Sequence, residues 1–251
     1  MLYRMNLLYP TVRLDVIGRS VMEKNIYAMT IGNGEGPSIM INAAHHGNEW
    51  ITTPLVLKFA EELAQNPTQY QIHIIPMVNP DGVDIVTKHH QRDWKANVKG
   101  VDLNSNYPAG YDKARKYKFA KGYTRPGPRD YVGEYPLCQP ESKAMVDYTC
   151  KNDFVHTISL HTQGEEIYWQ YNDYQIPGAE ALANKLAAAS GYALVEVPEE
   201  SSHGGYRDWF IEAYRRPGVT VECGLGVNPL DVGDFEKIYK KIGPLLWAGC
   251  S

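Results

Sequence analysis

The stretch Ile39-Met40-Ile41-Asn42-Ala43-Ala44-His45-His46-Gly47-Asn48-Glu49-Trp50-Ile51-Thr52-Thr53-Pro54 constrains this chain more than any other. An apolar, strand-like run closes in small residues, and His46 and Glu49 follow just as a helical pattern begins with Leu55, Val56, Phe59 and Leu63. On one helical turn, positions i and i+3 share a face. That pair can offer an imidazole nitrogen and a carboxylate to one zinc ion. Alone, the pattern fits equally a solvated His and Glu at a helix start, because the chain has 8 histidines and short motifs recur by chance.

Around this junction strand and helix patterns alternate. Gly18-Arg19-Ser20 and Gly32-Asn33-Gly34 are turn signals, and the β-type runs Ile26–Ile31 and Pro37–Asn42 are expected to pair with each other. Residues 53–66 form an amphipathic pattern stopped by Asn66-Pro67, and Gln71–Val78 is a buried-strand pattern running into Asn79-Pro80-Asp81-Gly82, a turn signal. From about 86 to 136 the chain is polar, aromatic and rich in Gly and Pro, which predicts a long functional loop. Helix is expected over Glu141–Lys151, Ala179–Ser190, Tyr206–Tyr214 and Asp234–Trp247, and strand over Phe154–Leu160 and Val219–Glu222. This order predicts one α/β domain spanning 1–251, without repeats or linkers.

The third ligand is sought among the other histidines. His161 closes the strand holding Val155, Ile158 and Leu160, at the carboxyl end where open α/β sheets place their sites. His73 lies within a strand, and His89, His90 and His203 lie in loops without partner spacing. A His46, Glu49, His161 set leaves a fourth zinc position open, the arrangement of a catalytic site.

Net charge is −4 with a pI near 6.1, and basic residues concentrate only between Lys113 and Lys121, so nucleic acid is not an expected partner. The N-terminal run is too short for a signal segment and no stretch approaches transmembrane length, which predicts a cytoplasmic chain without membrane association. The four cysteines, Cys138, Cys150, Cys223 and Cys250, contain no CxxC pair and are expected as thiols, with a Cys138–Cys150 disulfide as the alternative.

Six motifs now stand in order along nearly the whole chain: His46-x-x-Glu49-Trp50-Ile51, Asn79-Pro80-Asp81-Gly82, Gly100-Val101-Asp102-Leu103-Asn104-Ser105-Asn106, His161, Gly204-Gly205-x-x-Asp208-Trp209 and Thr220-Val221-Glu222. The series resembles the zinc carboxypeptidase (M14) family. The resemblance implies a mixed, about eight-stranded sheet between helices, one zinc on His46, Glu49 and His161, and Glu222 as general base. It also places Asn104 among the substrate-binding residues and Arg207 at the bottom of the pocket for the residue after the scissile bond.

Departures from the family pattern bear on substrate. The arginine that follows the motif asparagine and clamps a C-terminal carboxylate is replaced by Ser105, which cannot supply a bidentate cation. The oxyanion arginine of the family's Trp-Arg pair is Lys95 here, after Trp94, and the family's mobile tyrosine aligns with Glu200, leaving that role vacant or to Tyr206. These changes, with Gly100–Asn104, Pro108-Ala109-Gly110 and the string His161-Thr162-Gln163-Gly164-Glu165-Glu166-Ile167-Tyr168-Trp169, are similar to the bacterial γ-D-glutamyl-L-diamino acid peptidase branch. That branch implies a peptidoglycan-derived peptide substrate, Gln163 among the residues that bind it, and Arg207 as reader of the side-chain carboxylate of diaminopimelate. The alternatives are a metallocarboxypeptidase removing one C-terminal residue, a zinc acyl-amino acid hydrolase, and a zinc-free binding module of the same fold.

Overall fold

In the computed structural model, which describes residues 2–32, 36–198 and 202–251, eight strands form one sheet. They are β1 (Val12–Arg19), β2 (Asn25–Ile31), β3 (Ser38–Ala43), β4 (Gln71–Ile75), β5 (Phe154–His161), β6 (Glu166–Tyr168), β7 (Ala193–Leu194) and β8 (Gly218–Glu222), in spatial order β1-β2-β4-β3-β5-β8-β6-β7. The helices are α1 (Leu2–Leu8), α2 (Thr52–Gln65), α3 (Pro80–Thr87), α4 (Tyr111–Ala120), α5 (Pro140–Cys150), α6 (Ala179–Ser190), α7 (Tyr206–Tyr214) and α8 (Phe235–Gly249). None is long and apolar enough to cross a membrane. The expected α/β architecture is therefore present, with a mixed sheet: β3, β4, β5 and β8 run parallel, β1 and β2 pair antiparallel with their neighbours, and β6 pairs antiparallel with β8 but parallel with β7.

Period-two alternation decides which side chains meet which layer. Ile39 and Ile41 of β3, Ile158 and Leu160 of β5, and Val219 and Val221 of β8 join Leu55, Val56, Phe59 and Leu63 of α2 and Ile242, Leu245 and Leu246 of α8 in one apolar layer. Truncating the fully buried Phe59 to alanine would cost about 3–5 kcal/mol. Met40 and Phe154 face the other way, toward Met145 of α5 and Phe210 and Ile211 of α7. The carboxyl ends of β3, β5 and β8 lie side by side, and the chain leaves β3 toward β4 on one side while β5 lies on the other. Such a reversal point leaves a crevice beyond the strand ends.

Four expectations change. The runs now in β2 and β3 are not paired, because β4 lies between them and β2 pairs with β1; a parallel neighbour needs a crossover and can come from far along the chain. Gly18 is not in a turn but at a bulge of β1, and the reversal is made by Ser20–Lys24; of the second turn signal, Asn33 and Gly34 lie outside the described residues. Asn79-Pro80-Asp81-Gly82 opens α3: the Asn79 side chain accepts from Gly82 N at 2.9 Å, and Pro80 occupies a first-turn position where no donor is missed. The expected loop over 86–136 contains α4, whose basic, polar surface hid a short buried face formed by Tyr111 and Ala114 against Val132. The strand β1 and helix α1 were not anticipated. All four cysteines are free thiols.

Candidate active site

Strand β3 delivers His45 and His46 to the crevice, and the chain then turns through a single 3-10 turn, Gly47–Glu49, before α2. His46 is the extended residue that caps this turn, not part of an α-helix. A 3-10 turn stacks residues three apart, so Glu49 still comes back over His46. Gly47 is required there because a Cβ would fall 2.5 Å from the Gly82 carbonyl oxygen. His161 ends β5 and is paired in register with Glu222, which ends β8. Thr220 and Glu222 lie on the face opposite Val219 and Val221, as alternation predicts.

The three expected ligands converge, their donor atoms within 4.8 Å of one another. Glu49 Oε1 is 2.9 Å from His46 Nδ1, Glu49 Oε2 is 2.9 Å from His161 Nδ1, and the two Nδ1 atoms are 3.1 Å apart. His46 Nε2 lies 3.1 Å from Asp102 Oδ1, so the ring proton belongs on Nε2 and the Nδ1 lone pair faces the cluster. Two imidazole lone pairs and a carboxylate turned toward one buried point form a set of acceptors without donors. A divalent cation fits such a set. Burial lowers the His161 pKa, whereas for His46 the Glu49 and Asp102 carboxylates overcome burial and raise it. Asp102 itself is held far below the ordinary carboxylate range, against burial, chiefly by His46.

Glu222 lies beside this cluster. Burial, reinforced by the Glu49 charge and opposed by Lys95 and His46, pushes its pKa up to about 8. A cation on the triad would draw it down again. Lys95 remains an ammonium: burial lowers its pKa, but Asp102, Glu49, Asp130 and Glu222 together raise it. Its segment is pinned on both sides, with Gly47 N donating to the Lys95 carbonyl at 3.0 Å and Lys95 N to the Pro128 carbonyl at 2.8 Å.

Two cavities flank the triad and share Lys95, Tyr168 and Glu222 as walls. The first, of ≈ 100 Å3, also contains His46, His161, Asn104, Arg207, Asp208 and Thr220. The second, of ≈ 380 Å3, contains Glu49, Gln163, Arg129, Asp93 and Asn228. A larger cavity between β1 and α5, ≈ 760 Å3, includes no residue of the triad, so size does not locate the site.

The sequence-derived candidates are distributed unevenly over these cavities. Arg207 is buried in the first and donates through Nε, at 3.0 Å, and Nη2 to Asp208 Oδ1, so its charge is already partly matched. Asn104 reaches the same cavity, but its Oδ1 accepts from Tyr206 N at 3.0 Å, leaving the amide nitrogen for a ligand. Gly204, with φ +80°, approaches the Ser105 carbonyl so closely that a Cβ would lie 2.9 Å from it, which locks the Asn104 turn to the start of α7. Gln163 is exposed at the second cavity, not beside Arg207. Tyr206 does not replace the family's tyrosine: it is buried, and its hydroxyl meets Thr149 at 2.9 Å and the Met40 sulfur at 3.2 Å. Glu200 lies outside the described residues.

Two residues of the site were not singled out by sequence. Asp102 orients His46, and its signal was its place in the Gly100–Asn104 motif. Tyr168 projects from β6 opposite Thr220 of β8, its hydroxyl donating to Glu166 Oε2 at 2.6 Å, with burial and Glu166 raising its pKa. Its signal was its place in the His161–Trp169 string.

Comparison with known proteins agrees with this geometry. The family model described as zinc carboxypeptidase matches residues 1–226. Gamma-D-glutamyl-L-diamino acid endopeptidase 1 of Lysinibacillus sphaericus is 36% identical, over 96% of this chain and 68% of the relative. The uncharacterized protein YqgT of Bacillus subtilis (strain 168) is 34% identical over 95% and 72% respectively. Among solved structures, bovine thrombin-activatable fibrinolysis inhibitor in complex with tick carboxypeptidase inhibitor superposes with a TM-score of 0.83 at 21% identity, covering 99% of this chain and 93% of that one. Murein-tripeptide amidase MpaA from Escherichia coli O157 gives 0.65 at 20% identity, covering 94% and 91%; at such identities the likeness is one of fold. With a family model matched across most of its length and a relative above 30% identity, the chain belongs to the zinc carboxypeptidase (M14) family of metallopeptidases.

Proposed function

We propose that this metallopeptidase hydrolyses the amide bond between γ-linked D-glutamate and a diamino acid, meso-diaminopimelate or lysine, in peptidoglycan stem peptides. The observation that carries this reading is the 36% identity, across 96% of the chain, to a protein named for that bond. The site supports it. Ser105 offers no cation where an ordinary C-terminal trimming enzyme would need one, and a buried guanidinium, Arg207, stands at the cavity beside the triad.

His46, Glu49 and His161 would hold zinc, which when bound supplies Lewis-acid polarisation of water and carbonyl. Asp102 keeps His46 in the tautomer that presents Nδ1. Glu222 accepts a proton at its carboxylate from the attacking water and returns it to the leaving amine nitrogen. The Lys95 ammonium balances negative charge that develops on the carbonyl oxygen. Arg207 and the Asn104 amide receive the diamino acid, and a guanidinium can hold the far carboxylate of diaminopimelate by paired hydrogen bonds. Gln163 contacts substrate from the second cavity.

Incubating purified, zinc-supplemented protein with L-Ala-γ-D-Glu-meso-diaminopimelate and with its C-terminally extended tetrapeptide, followed by mass identification of products, tests the reading. L-Ala-γ-D-Glu should appear from the tripeptide. Release of only the terminal residue from the tetrapeptide, with the γ-glutamyl bond intact, would replace the reading with a carboxypeptidase.

A further inference from the structure

A γ-linked glutamate carries the same charge as an α-linked one but in a different place. Its side-chain carboxyl is spent in the scissile amide, so its α-carboxylate hangs free, one short chain away from the reacting carbon. Any site that selects the γ bond gains by neutralising that anion. Lys95, Tyr168 and Glu222 wall both cavities, so an amide held at their junction would have its two sides in different cavities. Resting on the γ-glutamyl reading above, with the diamino acid beside Arg207, the glutamyl side falls into the second cavity.

We propose that Arg129 reads the free α-carboxylate of the γ-linked glutamate. Arg129 borders the second cavity together with Lys95. Its backbone is held next to Lys95 because Lys95 N and Ala96 N both donate to the Pro128 carbonyl, at 2.8 and 2.9 Å. Its Nε donates to Asp130 Oδ2 at 2.8 Å, which fixes the guanidinium plane. Asp130 is also paired with the buried Lys118 ammonium, so the local sum of Arg129, Asp130 and Lys118 is one positive charge, not zero. Among the described residues the terminal nitrogens of Arg129 have no hydrogen-bond partner, and with 55% of its side chain exposed it can be reached by a small anion. A guanidinium so presented matches a carboxylate edge to edge. Arg207 differs in that it is buried and commits a terminal nitrogen, Nη2, as well as Nε to its partner Asp208. Exposed Asp93 on the same rim carries the opposite charge and would repel the anion if it, and not Arg129, governed the cavity.

The test compares L-Ala-γ-D-Glu-meso-diaminopimelate with the same peptide carrying γ-D-isoglutamine, in which a carboxamide of equal size replaces the α-carboxylate. The wild-type protein should prefer the carboxylate by about 10- to 100-fold in kcat/KM, the range for hydrogen bonds to a charged group. In Arg129→Ala the preference should collapse toward one, through KM more than kcat, since the contact exists before and during reaction alike. Arg129→Lys should restore part of it. An unaltered preference in Arg129→Ala, or no preference in the wild-type protein, overturns the assignment to Arg129 while leaving the γ-glutamyl reading intact. A wild-type protein that cuts neither peptide overturns that reading and the inference with it.

Discussion

The site has two halves built by different means. His46, Glu49, His161 and Glu222 stand on the ends of β3, β5 and β8 or on the turn that follows, so sheet hydrogen bonding sets their spacing. Lys95, Asn104 and Arg129 come from the segment between α3 and α5, where Asn79, Asp102 and Asn106 side chains and paired backbone contacts replace a ladder. The strand-end half holds groups whose geometry must be met within fractions of an ångström. The segment half holds two long, charged side chains, Lys95 and Arg129, that tolerate more variation, and the shorter amide of Asn104. The expected metal ligands and base are thus tied to the rigid element, and the groups proposed to meet the oxyanion and the substrate carboxylate to the adjustable one, a division common where loops are carried on a scaffold.

Perturbing the strand-end half should give the larger losses. Chelation should abolish activity and zinc should restore it, and His161→Ala should lose stoichiometric zinc by metal analysis; retention of a full equivalent would remove His161 from the ligand set. Glu222→Gln should keep its zinc yet lose about 10²–10⁴ in kcat, the range for general acid–base catalysis, and near-wild-type turnover would exclude it as the base. On the segment half, Lys95→Ala should cost about 10²–10³ in kcat, with Lys95→Arg largely active. A change in KM alone would make Lys95 a positioning group. At the start of α7, outside both halves, Arg207→Ala should lower kcat/KM before diaminopimelate by about 10- to 100-fold more than before lysine, less than an unpaired charge would, because Asp208 already shares the guanidinium. An equal fall for both substrates would show that Arg207 does not read the far carboxylate.

The smallest effect on activity belongs to the scaffold beneath both halves. His73 of β4 is buried, its Nδ1 2.7 Å from the Tyr148 hydroxyl, and burial lowers its pKa from 6.5 to about 4. The unfolded chain therefore binds this proton first as pH falls. The stabilisation is complete above about pH 6.5 and is lost between there and about pH 4, amounting to at most ~3 kcal/mol. Urea midpoints measured across this window should decline toward acid, and His73→Gln should be less stable throughout but show a flatter decline. An unchanged slope would assign the acid sensitivity to other groups.

What residue order determined alone was local and periodic. The His46–Glu49 spacing, the strand leading into His161 and the side of β8 on which Glu222 stands all follow from repeats of three or two, and the α/β class follows from their alternation. Partners remote in sequence followed from none of these. That β4 separates β2 from β3 is a property of the crossover. That Tyr206 packs against Met40 and Thr149 while Tyr168 faces the site depends on which strand flanks β8. That Arg129 borders the cavity holding Lys95 required the folded segment between α3 and α5, whose helix α4 was masked by its basic surface. Burial and charge pairing depend on all neighbours at once, so only the tertiary structure decided which ionised side chains meet one another and which still face open cavity.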